Sequence, residues 1–532
     1  MIDEWSGRGC ILPSLRPVIL AAFLFFAAAV AAQNPSVDVL HYAIDITLPA
    51  SGTDISATAE LTVRPRVESL ESLVLDFGAL TIDGVTVEGV EAQWTREQER
   101  IAVTTSRTTR EPFRVRVAYR GKPADGLVLQ ENKHGDFGVF ADNWPNRAHQ
   151  WFPAVDHPSD KATVEFRVTA PEAFDVIANG TLVETNNLQN GAKRWHWRET
   201  TPIPVHCMVV GATRFAVVRA GQDDGVEVTY WLYPRDRDHG VKQFGRAVQI
   251  LDYFAEVVGP YPYDKLAIVE SSTRFGGMEN ASAIFLDEKR IHGGESLEVL
   301  VAHEIAHQWF GDSVSQRVWH DLWLSEGFAT YFAALFLEHA NGRAALLERM
   351  RTTRANYLRT TEAATRPIFD PSVTELTRLL STLNYEKGAW VLHMLRGVIG
   401  DDAFFAGIRE YYASHRDGNA STAELRAIME RHAKQPLDWF FRQWIYEAGH
   451  PVFRTHWTWR NGKVLLDVAQ TQTGTVFRTP AVVELRDAAG ARRETVLIDQ
   501  RQEHFEIVSE LKPSAVVLDP DEWILRDAVP GS

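Results

Sequence analysis

The chain has 532 residues and a formal net charge of −15, with 45% hydrophobic and 23% charged residues. This length exceeds what one hydrophobic core supports and predicts roughly three domains. The negative charge, without any long basic run, excludes nucleic acid as an expected partner, because phosphate backbones attract clusters of Lys and Arg.

The first 32 residues have the pattern of a secretory signal. Arg8 and Arg16 precede an apolar run, Val18–Ala32, which ends in small residues. The run is shorter than the ~20 residues that a membrane-spanning helix needs. We therefore expect cleavage near residue 32 and a secreted or periplasmic protein with no membrane span in the mature chain. The alternative is a protein anchored to the membrane by an uncleaved signal.

The chain contains two cysteines, and Cys10 would leave with the signal. The mature chain then has no intramolecular disulfide. Cys207 lies in an apolar, strand-like run, Val205–Val210, which predicts a buried and inert thiol.

Three regions of different character follow, and they predict a multidomain α+β fold. Residues 33–219 show alternating segments such as His41–Leu48 and form a predicted β-rich domain. Residues 220–450 are mostly helical, and residues 451–532 return to short strands that predict a small β-sandwich. Helices are predicted at Val241–Val258, Ser296–Phe310, Asp321–His339, Leu383–Val398, Thr422–His432 and Pro436–Tyr446.

Two histidines one helical turn apart lie in the segment His303-Glu304-Ile305-Ala306-His307. On a helix, positions i and i+4 share one face, so both imidazoles can bind a single metal ion. Glu304 stands beside the first histidine and can face a metal-bound water. This spacing is typical of zinc peptidases, which use two His ligands, a Glu general base and a third ligand from elsewhere in the chain.

Glu326 is the predicted third ligand, because it lies in an otherwise apolar helix. A carboxylate buried there without a partner is costly, and a shared divalent cation supplies the partner. Three protein ligands leave one coordination position for water, as in catalytic zinc sites. We therefore expect one Zn²⁺ per chain, held by His303, His307 and Glu326, with Glu304 as the general base.

Four segments together resemble the M1 family of zinc aminopeptidases, the gluzincins that include aminopeptidase N. They are Phe275–Asn280 (FGGMEN), His303–Gly311 (HEIAHQWFG), Leu322–Ala329 (LWLSEGFA) and Tyr385–Gly388 (YEKG). The resemblance implies an N-terminal antiparallel β domain, a thermolysin-like, mostly helical zinc catalytic domain and a small C-terminal β-sandwich. Larger members carry a further helical domain over the active site. Because this sequence resembles the three-domain form, we expect an open cleft.

The resemblance also implies roles for individual residues. His303, His307 and Glu326 match the zinc ligands, and Glu304 matches the general base. The exopeptidase motif is matched by Gly276, Gly277, Met278, Glu279 and Asn280, with Gly277 where Ala is usual. In the family its backbone pairs with the extended substrate and its Glu binds the free α-amine. Tyr385 matches the tyrosine that stabilises the oxyanion. The implied substrates are peptides with a free N-terminal amine.

The N-terminal region departs from the family pattern before Phe152-Pro153. Many members have Glu or Gln eight residues before this Phe, where it contacts the substrate amine, but here the residue is Trp144. Asp142, Asn143 and Gln150 are the alternative sources of that contact.

Other functions remain as alternatives to an aminopeptidase. Leukotriene A4 hydrolase shares these motifs and opens an epoxide, but it has a second tyrosine where this chain has Leu380, five residues before Tyr385. A thermolysin-like endopeptidase would leave Glu279 without a task. A non-catalytic M1-like binding scaffold is disfavoured because every expected ligand, the base and the tyrosine are present.

Overall fold

The computed structural model describes residues 35–294 and 296–528. The predicted signal and Cys10 lie outside the described residues. The first fifteen strands are β1 (Val37–Thr47), β2 (Ile55–Pro65), β3 (Leu70–Asp76), β4 (Thr81–Val87), β5 (Val90–Glu91), β6 (Trp94–Glu97), β7 (Arg100–Arg107), β8 (Phe113–Gly121), β9 (Leu127–Glu131), β10 (Phe137–Ala141), β11 (Lys161–Pro171), β12 (Asp175–Ala178), β13 (Thr181–Asn187), β14 (Ala192–Pro204) and β15 (Val210–Thr213).

These strands form three sheets, so the predicted N-terminal β-rich domain is confirmed. Their orders are β13-β14-β11-β1-β2-β8-β4-β5, β12-β15-β10-β9 and β3-β7-β6. Alternation along β1 buries Tyr42, Ile44 and Ile46 on one face, because successive side chains of a strand point to opposite sides. The pairing is antiparallel except between β1 and β11, which run parallel with Ile44 opposite Phe166.

Cys207 is buried, as predicted, and its Sγ donates to Asp312 Oδ1 at 3.2 Å. Burial raises the pKa of this thiol well above its usual value, which keeps it protonated and inert. The strand predicted around it starts later than expected. Val205–Cys207 forms a 3₁₀ turn, and β15 begins at Val210.

A five-stranded sheet leads into the helical region. Its elements and the adjoining helices are β16 (Ala216–Asp223), β17 (Val226–Leu232), α1 (Arg237–Gln243), α2 (Ala247–Val257), β18 (Lys265–Ser271), β19 (Gly277–Met278), β20 (Ala283–Asp287) and α3 (Glu288–Ile291). The strand order is β16-β17-β18-β20-β19, which puts β19 at an edge. The prediction of a single helix over Val241–Val258 is wrong in one respect. The structure has two helices there, α1 and α2, and the chain between them contains Gly245, a poor helix former.

The next elements are mostly helices, as predicted. They are α4 (Glu298–His307), β21 (Val314–Gln316), α5 (Trp323–Asn341), α6 (Arg343–Leu358), α7 (Gly388–Ile399), α8 (Asp401–His415), β22 (Gly418–Ala420), α9 (Thr422–Ala433) and α10 (Asp438–Phe441). Helix α5 is buried continuously from Trp323 to Phe336, as expected of a helix that is apolar on all sides. Leu383–Lys387 and Arg442–Tyr446 form π turns, so each predicted helix there has one irregular turn.

Helices α5 and α7 cross at two glycines. A Cβ built on Gly327 would lie 2.9 Å from Gly388 Cα, so neither position accepts a side chain without moving the other backbone. Glu326 precedes one of these glycines and Tyr385 lies three residues before the other. The close crossing therefore places both side chains at the same cleft.

The chain closes with a small β-sandwich, as predicted. Its strands are β23 (Val452–Arg460), β24 (Lys463–Gln470), β25 (Thr479–Asp487), β26 (Gly490–Ile498), β27 (Gln502–Val508), β28 (Ala515–Leu518) and β29 (Asp527–Ala528). Two sheets, β27-β24-β23-β29 and β26-β25-β28, share a core that includes Val464, Leu466, Val483 and Leu485. The domain boundaries at 219/220 and 450/451 stay predictions.

In the part of the chain that the structure describes, no helix combines the length and apolar character that crossing a membrane demands.

Candidate active site

Helices α4 and α5 bring the three predicted metal ligands together. His303 and His307 lie one turn apart on α4, and Glu326 lies in the first turn of α5. The two Nε2 atoms are 3.0 Å apart, and each lies 3.3 Å from Glu326 Oε2. Three donor atoms from two helices thus converge on one point.

The donor set fits a zinc ion. Glu326 Oε2 is buried and has no hydrogen-bond partner, which is costly for a carboxylate unless a cation is shared with it. Tetrahedral coordination at about 2.0–2.1 Å places ligand atoms roughly 3.3–3.4 Å apart, close to the observed spacing. Burial alone would raise the pKa of Glu326, but His307 and His303 outweigh burial and lower it to about 2. The third ligand is therefore ionised.

The imidazole of His307 is oriented by contacts to its Nδ1 atom. His307 Nδ1 lies 3.1 Å from the carbonyl oxygen of Phe310 and 3.0 Å from Ser325 Oγ. A proton on Nδ1 donates to that carbonyl and leaves the Nε2 lone pair facing the cluster, which is how metal-binding histidines are usually oriented.

Glu304 occupies a space that Gly277 leaves empty. A Cβ on Gly277 would overlap Glu304 Oε1. The Gly that stands in place of the usual Ala therefore leaves room for the Glu304 carboxylate. Glu304 is buried, and its ligand atom, with those of Glu279 and His307, forms a second cluster within 4.8 Å. Burial raises the pKa of Glu304 well above its usual value, and the carboxylates of Glu279 and Glu326 add to the rise while His307 opposes it.

The exopeptidase motif lies at the free edge of the five-stranded sheet. Gly277 and Met278 form β19, which pairs only on one side, with β20. An edge strand offers unpaired N–H and C=O groups to an extended peptide. Both polar atoms of the Asn280 side chain are buried without a hydrogen-bond partner.

Gln308 ties this motif to α4. Its Nε2 donates to the Glu279 carbonyl oxygen at 2.6 Å and to Asp312 Oδ2 at 3.0 Å. Its Oε1 accepts from the Ser282 N–H at 2.8 Å and from the Tyr261 hydroxyl at 3.2 Å. Gln308 is not among the predicted site residues, although its place directly after His307 was the available signal.

Tyr385 lies beside His303, in the π turn before α7. Its ring is nearly parallel to the His303 imidazole, with ring centroids 5.9 Å apart. Such turns are rare and often occur at functional sites. Burial raises the pKa of the phenol well above its usual value, and the carboxylate of Glu326 adds to the rise. Tyr385 therefore stays protonated and remains a hydrogen-bond donor.

A cleft of about 530 Å³ is lined by most of these groups. Its lining includes Gly276, Gly277, Met278, Glu279, His303, Glu304, His307, Glu326 and Tyr385. Of the ten predicted site residues only Asn280 is not among the lining residues. Two arginines that the sequence did not suggest, Arg290 and Arg349, also line it.

The alternatives for the missing amine contact are engaged elsewhere. Asp142 pairs with Arg147 at 2.7 Å and with Arg274 at 2.8 Å. Asn143 donates to a main-chain carbonyl and accepts from an indole N–H. Gln150 donates to a surface glutamate. None of the three lines the cleft.

Trp144 itself lines the cleft at that position. Its ring packs edge to face against Phe275 at 5.9 Å and against Trp319 at 5.8 Å. An aromatic side chain therefore lines the cleft at the position where many members of the resembled family have a polar side chain.

The metal cluster with an adjoining buried carboxylate has the make-up of a zinc-hydrolase centre. Comparison with known proteins agrees. Residues 38–206 match the Peptidase M1 N-terminal domain, and residues 243–444 match the Peptidase family M1 domain. The chain belongs to peptidase family M1, a family of metallopeptidases.

Several proteins named as aminopeptidases are similar to this chain. Probable aminopeptidase 2 of Sulfurisphaera tokodaii is 25% identical over 84% of this chain and 59% of its own length. Human glutamyl aminopeptidase is 25% identical over 60% of this chain and 35% of its own. Rice aminopeptidase M1-A is 29% identical over 68% of this chain and 43% of its own. The chain thus spans between about a third and three fifths of these relatives.

A solved structure is also similar. The M1 zinc metallopeptidase from Deinococcus radiodurans, crystallised as a mutant, superposes with a TM-score of 0.69 and 26% identity. The match covers 77% of this chain and 94% of that protein. The shared fold extends well beyond the metal-binding helices.

Proposed function

We propose that this protein is a zinc-dependent aminopeptidase that removes the N-terminal residue of peptides. The observation that carries the proposal is the position of Glu279. Its carboxylate lies in one cluster with Glu304 and His307, within 4.8 Å, at the end of an edge strand. A peptide added to that edge with its ammonium on Glu279 presents its first peptide bond to the metal cluster. The names of the relatives support the same activity.

The metal in this proposal is one Zn²⁺ held by His303, His307 and Glu326. When bound, zinc acts as a Lewis acid that polarises the scissile carbonyl and makes water a nucleophile near neutral pH.

The chain's own side chains would carry the remaining steps. Glu304 takes the proton from the attacking water and returns it to the leaving amine. Between the two transfers the Glu304 carboxyl group holds the proton. The Tyr385 hydroxyl donates to the oxygen that becomes negative, which is worth roughly 10²–10³ in rate where such donors have been removed.

Two alternatives have less support. An endopeptidase would bring an internal segment with no ammonium to the buried carboxylate of Glu279, which is unfavourable. Epoxide opening of the kind considered above relies on a second tyrosine, and Leu380 lines the cleft at that position.

We also propose export of the protein, to the periplasm or outside the cell, on the basis of residues 1–32 alone. N-terminal sequencing of the protein from the native host tests this. A mature N-terminus near residue 33 supports export with cleavage, and a retained segment with membrane association supports anchoring.

Hydrolysis of paired peptides tests the activity. One peptide has a free N-terminus and its partner is acetylated, and both are given to the wild type and to Glu304→Gln. We expect cleavage of the free peptide only, with kcat lowered on the order of 10²–10⁴ in the variant. Cleavage of both peptides by the wild type would move the protein to the endopeptidases. Cleavage of neither by the zinc-loaded protein would contradict the proposal.

A further inference from the structure

Arg349 is a cleft arginine whose Nε has no acceptor among the residues that the structure describes. It lies on α6, lines the cleft and is half-buried. Its Nε is buried and has no hydrogen-bond partner, and the guanidinium forms no ion pair with any carboxylate in the described ranges 35–294 and 296–528. A buried N–H group without an acceptor is unfavourable. An acceptor supplied by the substrate would satisfy it.

The neighbouring Glu386 does not supply that acceptor. Its charge acts on Arg349 from a distance, while its Oε1 accepts a long hydrogen bond, 3.4 Å, from Asn356. Burial lowers the pKa of Arg349, with Glu386 partly opposing the change. The guanidinium nevertheless stays charged at neutral pH, because its pKa starts above 12. It remains able to form a bidentate pair with a carboxylate.

The contacts of the two histidines indicate where Arg349 would meet a substrate. Glu279 groups with His307, so the proposed ammonium site lies beside that histidine. Tyr385 stacks on the other histidine, His303, and α6 packs against the π turn that carries Tyr385. With the ammonium beside His307, this arrangement assigns Arg349 to the side of the second substrate residue, beyond the scissile bond.

We propose that Arg349 binds a carboxylate that the peptide carries immediately after the scissile bond, so that the site favours peptides with Asp or Glu as the second residue. The carboxylate has two possible sources, an acidic second side chain or the C-terminus of a dipeptide. The inference rests on the proposed aminopeptidase function, and its test is arranged to separate the two.

The test compares Leu-Glu-Ala-amide with Leu-Gln-Ala-amide, which differ in one charge. For the wild type we expect kcat/KM to favour the acidic peptide by roughly 10- to 100-fold, the range for a charge-assisted hydrogen bond. Arg349→Gln should abolish the preference, and Arg349→Lys should retain part of it. Arg354→Gln is the matched control, because Arg354 lies on the same helix but faces Glu522 at 3.6 Å. It should keep the wild-type preference.

A second pair, Leu-Ala and Leu-Ala-amide, tests the other carboxylate source. An Arg349-dependent preference for the free acid in this pair alone would assign the site to the dipeptide C-terminus. A preference in the first pair alone would assign it to the acidic side chain.

Binding separates this inference from the proposed function. Calorimetry with zinc-loaded Glu304→Gln measures the Kd of each peptide without turnover. Tighter binding of the acidic peptide that disappears when Arg349→Gln is added supports the inference even if no peptide is cleaved. Equal Kd values within both peptide pairs, or a preference that survives Arg349→Gln, would overturn it. Failure of the wild type to cleave any free peptide contradicts the proposed function instead.

Discussion

Gln308 gives the sharpest test of how the exopeptidase motif is positioned. Its side chain makes four hydrogen bonds, two of them to the main chain on either side of Asn280. Gln308→Met keeps the approximate length of the side chain and removes all four. The Glu279 carbonyl and the Ser282 N–H are then left buried without partners.

The expected loss of stability follows from those two unpaired groups. An unsatisfied buried polar group costs ~1–3 kcal/mol, so the free energy of unfolding should fall by about 2–6 kcal/mol. The catalytic effect should appear in KM rather than kcat, because Gln308 holds the backbone of Glu279 and touches neither Glu304 nor the metal ligands through its side chain. We expect KM for free-amine peptides to rise on the order of tenfold, as expected when a charge-assisted contact is weakened.

Gln443→Met is the matched control. Gln443 is also buried and makes two hydrogen bonds to the main chain of Arg478, at 3.0 and 2.9 Å, and neither residue lines the cleft. Urea denaturation and steady-state kinetics should show loss of stability in both variants but a raised KM in Gln308→Met alone. A Gln308→Met protein with wild-type stability, or equal KM values in the two variants, would refute the positioning role.

Two further predictions concern the metal and pH. Glu326→Gln should lower the bound zinc measured by atomic emission at limiting free zinc, because the amide is a weaker ligand than the carboxylate; unchanged zinc content would contradict the assigned ligand set. Asp160 is buried, and burial raises its pKa to about 8, only partly opposed by the Val39 N–H. Because the folded state holds this proton more tightly than the unfolded state, its stabilising contribution is complete below about pH 4 and is lost as pH rises towards 8. The stability of Asp160→Asn relative to the wild type should therefore rise by on the order of a few kcal/mol between pH 5 and pH 9; a difference that does not change between these pH values in urea denaturation would exclude Asp160 as the cause.

The metal cluster could be predicted from sequence because its geometry is local. His303 and His307 need only one helical turn to share a face, and Glu326 needs only the next long helix to pack against the first. The β-rich, helical and β-sandwich regions were equally readable from periodicity. The parallel pairing of β1 with β11 was not, because its partners are separated by more than a hundred residues and no local pattern encodes the register.

Residues that act at the cleft through tertiary packing had no such signal. Arg349 lies on α6, outside every motif, and it attracts attention only because its Nε is buried without an acceptor among the described residues. The alternatives Asp142, Asn143 and Gln150 looked equivalent in sequence, and only the structure shows each one engaged elsewhere.

Trp144 and Gly277 show why departures from a family pattern have to be read together with their surroundings. Gly277 lacks a methyl group where the carboxylate of Glu304 lies, so the glycine and the position of Glu304 are parts of one packing arrangement. Under the proposed aminopeptidase function, Trp144 replaces a polar amine contact of the resembled family with an aromatic side chain, which leaves the buried carboxylate of Glu279 as the principal charge for the ammonium at that end. Under the same proposal, anchoring of the amine by fewer charges raises the relative weight of any contact beyond the scissile bond, on the side assigned to Arg349.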